Sequence, residues 1–265
     1  MPVEKITSPQ NGGVKRVARL RGKKGRDAKN LTIVEGVREV RQALNAGCRI
    51  ASAYVCCEGV YHCPPETIAE LQARKIKVFD TACGVFDKMA YGDRKDGVLA
   101  LVEPPELKLS DLKLSPQPLV VVLERVEKPG NLGAVLRTAD AAGVEAVIVC
   151  DELCDIHNPN VIRASLGAIF AVPTVSCTSE EAIAFLKEKG IKTAAAVVQA
   201  EADLYDADLR GGCAIVMGSE DKGLSDLWRT RADIKLRIPM KGKVDSLNVS
   251  VSAAVVIYEA VRQRS

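Results

Sequence analysis

No apolar run in this 265-residue chain approaches the ~18 residues of a membrane-spanning helix. The longest strongly apolar stretches lie near 119–123 and 193–198, and the first ten residues contain no apolar signal core. Neither secretion nor membrane insertion is therefore expected, and the pattern predicts a cytoplasmic protein. Histidine is scarce, with two residues and no Ser/His/Asp context around either, so nucleophilic hydrolysis has little support. The nine cysteines are odd in number and irregular in spacing, which fits reduced thiols in a cytosol better than a disulfide framework. Cys150, Cys154 and His157 form a C-x3-C-x2-H, and Cys57, His62 and Cys63 cluster upstream. Neither has the paired spacing of a structural zinc site, so no metal is expected. The G-x-G-x-x-G and G-x-x-x-x-G-K-[ST] phosphate loops are also missing, so neither NAD nor ATP binding follows. There is no internal repeat and no low-complexity tract.

What is present is an ordinary globular composition, 47% hydrophobic and 27% charged, long enough for two domains. The net charge is only +3 but unevenly placed. Residues 1–30 carry nine bases and two acids, net +7, which leaves −4 for the rest. Lys23, Lys24 and Arg26 sit in this basic segment. It reads either as an arm that neutralises nucleic-acid phosphates and releases counterions or as a solvated tail.

Beyond the arm, apolar and helical patterns predict a small α/β unit ending with a strand at 97–102. Four prolines in 103–118 suit an extended connection. The expected organisation is thus an arm plus small domain over 1–103, a linker over 104–118 and a second domain over 119–265. In that second part, strands at 119–123, 146–150, 193–198, 214–217 and 235–238 alternate with helices at 132–142, 180–189 and 247–262. The alternation predicts a parallel, helix-covered sheet. The final helix carries Leu247, Val251, Ala254, Val255, Tyr258 and Val261 on one face, with Asp245 or Ser246 placed to cap it.

Ligands of open α/β sheets sit beyond the carboxyl ends of the strands, so the loops leaving strands carry the candidates. Three stand out. The first runs from Glu127 to Gly133, with Arg137 on the helix that follows; the second is Gly218-Ser219-Glu220-Asp221-Lys222-Gly223; the third spans Ile238 to Ser250. In this order they resemble the SpoU (TrmH-type) family of RNA ribose 2′-O-methyltransferases, of the SPOUT class. The Asn-x-Gly-x-x-x-Arg motif reads as Asn131, Gly133 and Arg137, and Gly-x-Glu reads as Gly218 and Glu220, followed by Gly223. The third motif reads Ile238-Pro239-Met240 through Ser246-Leu247-Asn248-Val249-Ser250. Asn158-Pro159 through Arg163-Ala164-Ser165, with Gly167, is similar to the family's helix after the second strand. More weakly, Ile33-Val34-Glu35-Gly36 is similar to its small substrate-binding domain, itself like kink-turn-binding ribosomal proteins.

The resemblance implies an α/β fold with a trefoil-knotted C-terminal domain, and a homodimer with the catalytic cleft at the interface. It implies S-adenosylmethionine held by Gly218, Ile238 and Leu247. It also implies methyl transfer to an RNA ribose 2′-hydroxyl, which Arg137 activates, as base in the family's account. Arginine as a side-chain type holds its proton near neutrality, so clamping a phosphate and stabilising the developing alkoxide suits Arg137 better. Asn131, Glu220, Ser246 and Asn248 would orient the reactants, and Arg163 would contact a phosphate. Ribosomal RNA, of the 23S class, is the expected substrate. A transfer-RNA target and a catalytically silent RNA-binding module are the alternatives.

Overall fold

The computed structural model describes residues 4–92 and 94–265; residues 1–3, at the start of the basic segment, lie outside the described residues. The chain divides into two compact units, 1–105 with 157–171, and 106–156 with 172–265. In chain order the first stretch contributes β1 (Glu4–Ile6), α1 (Gly12–Leu20), α2 (Lys23–Asp27), β2 (Thr32–Glu35), α3 (Val37–Asn45), β3 (Ile50–Val55), α4 (Pro65–Ala73), β4 (Val78–Thr81), α5 (Cys83–Met89) and β5 (Val98–Val102). Then come β6 (Leu119–Glu124), α6 (Pro129–Ala141), β7 (Ala146–Cys150), α7 (Pro159–Ala164), β8 (Thr174–Cys177), α8 (Ser179–Glu188), β9 (Lys192–Ala196), β10 (Ala202–Asp203), β11 (Cys213–Met217), α9 (Asp226–Arg231), β12 (Ile234–Arg237) and α10 (Val249–Arg264).

The first unit is a five-stranded sheet in the order β1-β4-β3-β5-β2. β4 runs parallel to β1 and β3, whereas β5 is antiparallel to β3 and β2. Over the described residues 4–30 its basic segment is folded, not a tail. Val14, Val17 and Leu20 recur every three residues and bury one face of α1, leaving Lys15, Arg16 and Arg19 outside. Asn11 caps that helix by accepting from the Gly13 N–H at 2.8 Å. This corrects the expectation for Arg26. It is only 5% exposed, and its Nη1 donates to the carbonyls of Leu20 (3.1 Å) and Arg21 (2.9 Å), satisfying acceptors at the end of α1. Lys23 and Lys24 are exposed, with Lys23 facing Asp27 at 3.4 Å.

The second unit is a seven-stranded, wholly parallel sheet ordered β10-β12-β9-β11-β6-β7-β8. β6, β7 and β11 are buried along their whole length, which is why each reads as a continuous apolar run. Helix α10 packs against α6 and β11. The connection after residue 105 is anchored. Leu112 sits in the core, Leu109 and Leu114 pack on it, and Ser115 donates through N and Oγ to Glu145.

Residues 157–171 depart from the expected division at 119, because they belong to the first unit. Thr32 Oγ1 donates to the His157 carbonyl at 2.7 Å, and α7 packs on β2. Gly167 adopts φ +83° where a Cβ would come within about 3 Å of Gln42 and Glu39. A larger residue would push that turn off α3. All nine cysteines are thiols rather than disulfides. Among the described residues no His/Cys/Asp/Glu group is placed to hold a metal, and no helix is long and apolar enough to cross a membrane.

Candidate active site

The three motif loops meet at the carboxyl ends of β6, β11 and β12, in the second unit. Asn131, in the first turn of α6, donates from Nδ2 to Glu220 Oε1 at 2.6 Å. Glu220 also accepts from the main-chain N–H groups of Glu127 (3.3 Å) and Lys128 (3.4 Å). Asn248 Nδ2 in turn donates to Asn131 Oδ1 at 3.2 Å. Two amides and one carboxylate therefore link a loop from each motif. Burial acts to raise the Glu220 pKa, but the bonds from Asn131 and the loop N–H groups outweigh it and hold the carboxyl below the usual glutamate range. Glu220 is an ionised acceptor, suited to fixing the loops.

Asn248 also corrects the expected cap of the last helix. Asp245 and Ser246 fall short of it, and α10 begins at Val249 with Asn248 as its cap, Oδ1 accepting from the Ser250 N–H at 3.0 Å. One side chain thus caps α10 with its oxygen and holds Asn131 with its nitrogen. Ser246 is exposed, its Oγ donating to Asp245 Oδ1 at 3.1 Å.

The second loop owes its shape to close backbone approach. A Cβ on Gly218 would fall 2.1 Å from the Gly223 carbonyl carbon, so only glycine fits where the two segments touch. The loop's far end is pinned from below. Glu124, 2% exposed, accepts from the Ser225 N–H at 2.7 Å, and Trp228 Nε1 donates to Ser179 Oγ at 3.0 Å.

These loops enclose a cleft of about 880 Å³. Gly218, Glu220, Ile238, Ser246, Leu247 and Asn248 line it, with Asn131 bonded to two of them. Arg137 does not line it. It stands exposed on α6, with no hydrogen bond or ion pair among the described residues. Arg163 belongs to the first unit, where its guanidinium lies against the main chain of Gly92 with Glu35 nearby. Lys128 of the first loop lines the cleft too, and so do residues outside the three motif loops, among them Arg229 and Val197 through Gln199 after β9. Their signal was only that they leave or flank parallel strands, since no glycine or polar cluster marks them.

Residues 118–258 match the SpoU rRNA methylase family, and residues 11–100 match the MRM3-like substrate-binding domain. The chain belongs to the SpoU rRNA methylase family. It is 39% identical over 201 residues to the Vibrio vulnificus 23S rRNA (guanosine-2′-O-)-methyltransferase RlmB, covering 74% of this chain and 81% of that one. It is 42% identical over 182 residues to the Ralstonia nicotianae protein of the same name, covering 67% and 73%. Among solved structures it resembles an RNA 2′-O ribose methyltransferase (TM-score 0.86, 40% identity, 98% and 99% covered). It also resembles an AdoMet-bound rRNA methyltransferase from Sinorhizobium meliloti (TM-score 0.89, 29% identity, 98% of each chain).

The cleft fits S-adenosylmethionine, the cofactor of this family. Val197, Leu236, Ile238 and Leu247 offer apolar surface to a purine. Among the described residues, no main-chain N–H of 240–247 is hydrogen-bonded, which leaves donors for its edge. The cleft lining carries both signs, with Glu220, Asp221 and Asp245 as carboxylates that can face a sulfonium or an ammonium group and Lys128, Lys222, Arg229 and Lys241 as cations.

Proposed function

We propose that the protein transfers the methyl group of S-adenosylmethionine to the 2′-hydroxyl of a guanosine in 23S ribosomal RNA. The observation that carries this reading is the Asn248–Asn131–Glu220 relay, which ties all three motif loops together at the edge of one cleft. The relatives' printed names and the substrate-binding domain match support the RNA class. When bound, the cofactor supplies an activated methyl on a sulfonium leaving group.

The chain's own residues supply position and charge. Gly218, Ile238 and Leu247 hold the adenosine, and Asn131, Glu220, Ser246 and Asn248 fix the loops so that the acceptor oxygen meets the methyl in line. Arg137, which has no ion pair among the described residues, clamps the phosphate beside the target ribose and stabilises the alkoxide as it forms, the hydroxyl proton being released to solvent water. Lys23 and Lys24 add sequence-independent attraction for RNA. In this reading the enzyme works in the cytoplasm as a homodimer. The exposed Val251 and Tyr258 on α10 support a partner contact there. The segment from 238 to 248, returning from β12 to a helix packed on α6 and β11, is the part that would thread a trefoil knot.

The test is methylation of ribosomal RNA from cells lacking the protein, using the purified chain and deuteromethyl-labelled S-adenosylmethionine, followed by nuclease mapping and mass spectrometry. Label on a single guanosine ribose of 23S RNA is expected. Label on transfer RNA alone, or on no RNA, overturns the proposal.

A further inference from the structure

Arg229 is the one cation of the cleft that the relay and the motifs leave unexplained. The other cleft cations have evident surroundings: Arg237 is paired with Asp203 at 2.6 Å, while Lys128, Lys222 and Lys241 are exposed to water. Arg229 is partly buried, and among the described residues its guanidinium has neither an ion pair nor a hydrogen bond. Its Nε is fully buried without a partner. A buried donor left unsatisfied beside a cavity costs stability unless a ligand completes it.

The position of Arg229 is built in. It lies on α9, next to Trp228, which is fully buried and anchored to Ser179. The Arg229 N–H donates to the Ser225 carbonyl, and the Ser225 N–H is held by Glu124. One guanidinium nitrogen, Nη2, comes within 3.8 Å of where a side chain on Gly223 would begin, one backbone thickness from Gly218. The fork of Nε–H and a terminal N–H presents two parallel donors, which matches a carboxylate edge.

We infer that Arg229 receives the α-carboxylate of the bound cofactor. Depth favours this anion over an RNA phosphate, because a phosphate entering from solvent meets the exposed lysines at the rim before a partly buried guanidinium. The inference rests on the methyl-transfer reading above.

The test compares two ligands by calorimetry, S-adenosylhomocysteine and its decarboxylated analogue S-adenosyl-3-thiopropylamine, on the full chain and on Arg229→Ala and Arg229→Lys. A charge-assisted contact of ordinary strength makes the unaltered protein prefer the carboxylate-bearing ligand by about 10- to 100-fold. Arg229→Ala abolishes that preference while leaving the affinity of the decarboxylated ligand unchanged, and Arg229→Lys retains part of it. The preference is a ratio within each protein, so incompletely folded material does not alter it. Equal weakening of both ligands makes Arg229 a support for the loop and overturns the inference. Unchanged binding of both, with weaker RNA binding, overturns it in favour of a phosphate. If the unaltered protein binds neither ligand, the methyl-transfer reading falls and this inference falls with it; a preference that survives Arg229→Ala sinks the inference alone.

Discussion

Asn131→Asp is the most informative perturbation of the relay. It preserves the side chain's shape but replaces the amide donor, 2.6 Å from Glu220 Oε1, with a carboxylate oxygen. Two losses add. A hydrogen bond to a charged group contributes about 1.5–3 kcal/mol. Two like charges ~3 Å apart repel by about 3 kcal/mol at an effective dielectric of about 40, chosen because both side chains are partly exposed. The total of about 4–6 kcal/mol drives the pair to splay or to capture a proton. If half of the repulsion relaxes, S-adenosylhomocysteine affinity at pH 8 falls by about 100-fold or more. Repulsion raises the pKa of the shared proton, so the protonated pair, with its restored O–H donor, is populated below that raised value and lost above it. The defect therefore shrinks as the pH is lowered from 8 to 5.5. Asn131→Ala, which removes the donor without adding a charge, weakens binding by about 10- to 100-fold at every pH in this range. Calorimetry on both variants at several pH values decides the matter. Parallel pH profiles, or undiminished affinity in both, would refute the relay as the device that sets the cleft.

Three further outcomes follow from the geometry. Replacing Lys23 and Lys24 with Ala lowers the salt slope of RNA binding by about 1–2, at ~0.7–0.9 per phosphate contact, while leaving the melting temperature unchanged. Arg26→Ala lowers the melting temperature instead, and filter binding plus thermal melts distinguish the two. Arg137→Ala leaves S-adenosylhomocysteine affinity within about threefold but slows single-turnover methylation by about 100-fold or more, because its contact forms with the RNA. Parental-rate methylation by that variant removes Arg137 from the chemistry. Gly218→Ala forces a Cβ into the Gly223 main chain and abolishes cofactor binding; a calorimetric affinity within tenfold of the parent would show that the loop can yield.

Much of the second unit was legible because parallel strands covered on both sides must be apolar throughout, as β6, β7 and β11 are. The motif loops were legible for a related reason, the first two being glycine-containing interruptions at the ends of such runs and the third a stretch of small polar residues after β12. α1 is hard to see in the sequence because it opens on Gly12 and Gly13 and its apolar face, Val14, Val17 and Leu20, is interleaved with as many basic residues, Lys15, Arg16 and Arg19. The role of Arg26 was hidden because charge counting cannot tell a solvated guanidinium from one that closes a helix end. The cap of α10 was misplaced by a few residues because Asp245, Ser246 and Asn248 are all good caps, and only the backbone selects among them. The placement of 157–171 depends on contacts with β2 and α3, far away in sequence, which no local pattern carries.

The strand order of the second sheet has a consequence for how the protein is made. β11 lies between β6 and β9, so the edge of β6 opposite β7 acquires its partner only after β7, β8, β9 and β10 have been synthesised. Until then, one of the most apolar strands in the chain presents an open row of amide and carbonyl groups, the kind of edge that templates pairing between chains. Closing it requires a long-range parallel contact, which is intrinsically slow. Yield in an expressing cell should therefore depend on elongation rate and chaperone supply even where the finished enzyme is stable, since the vulnerable species is the nascent chain with the middle of its sheet still missing.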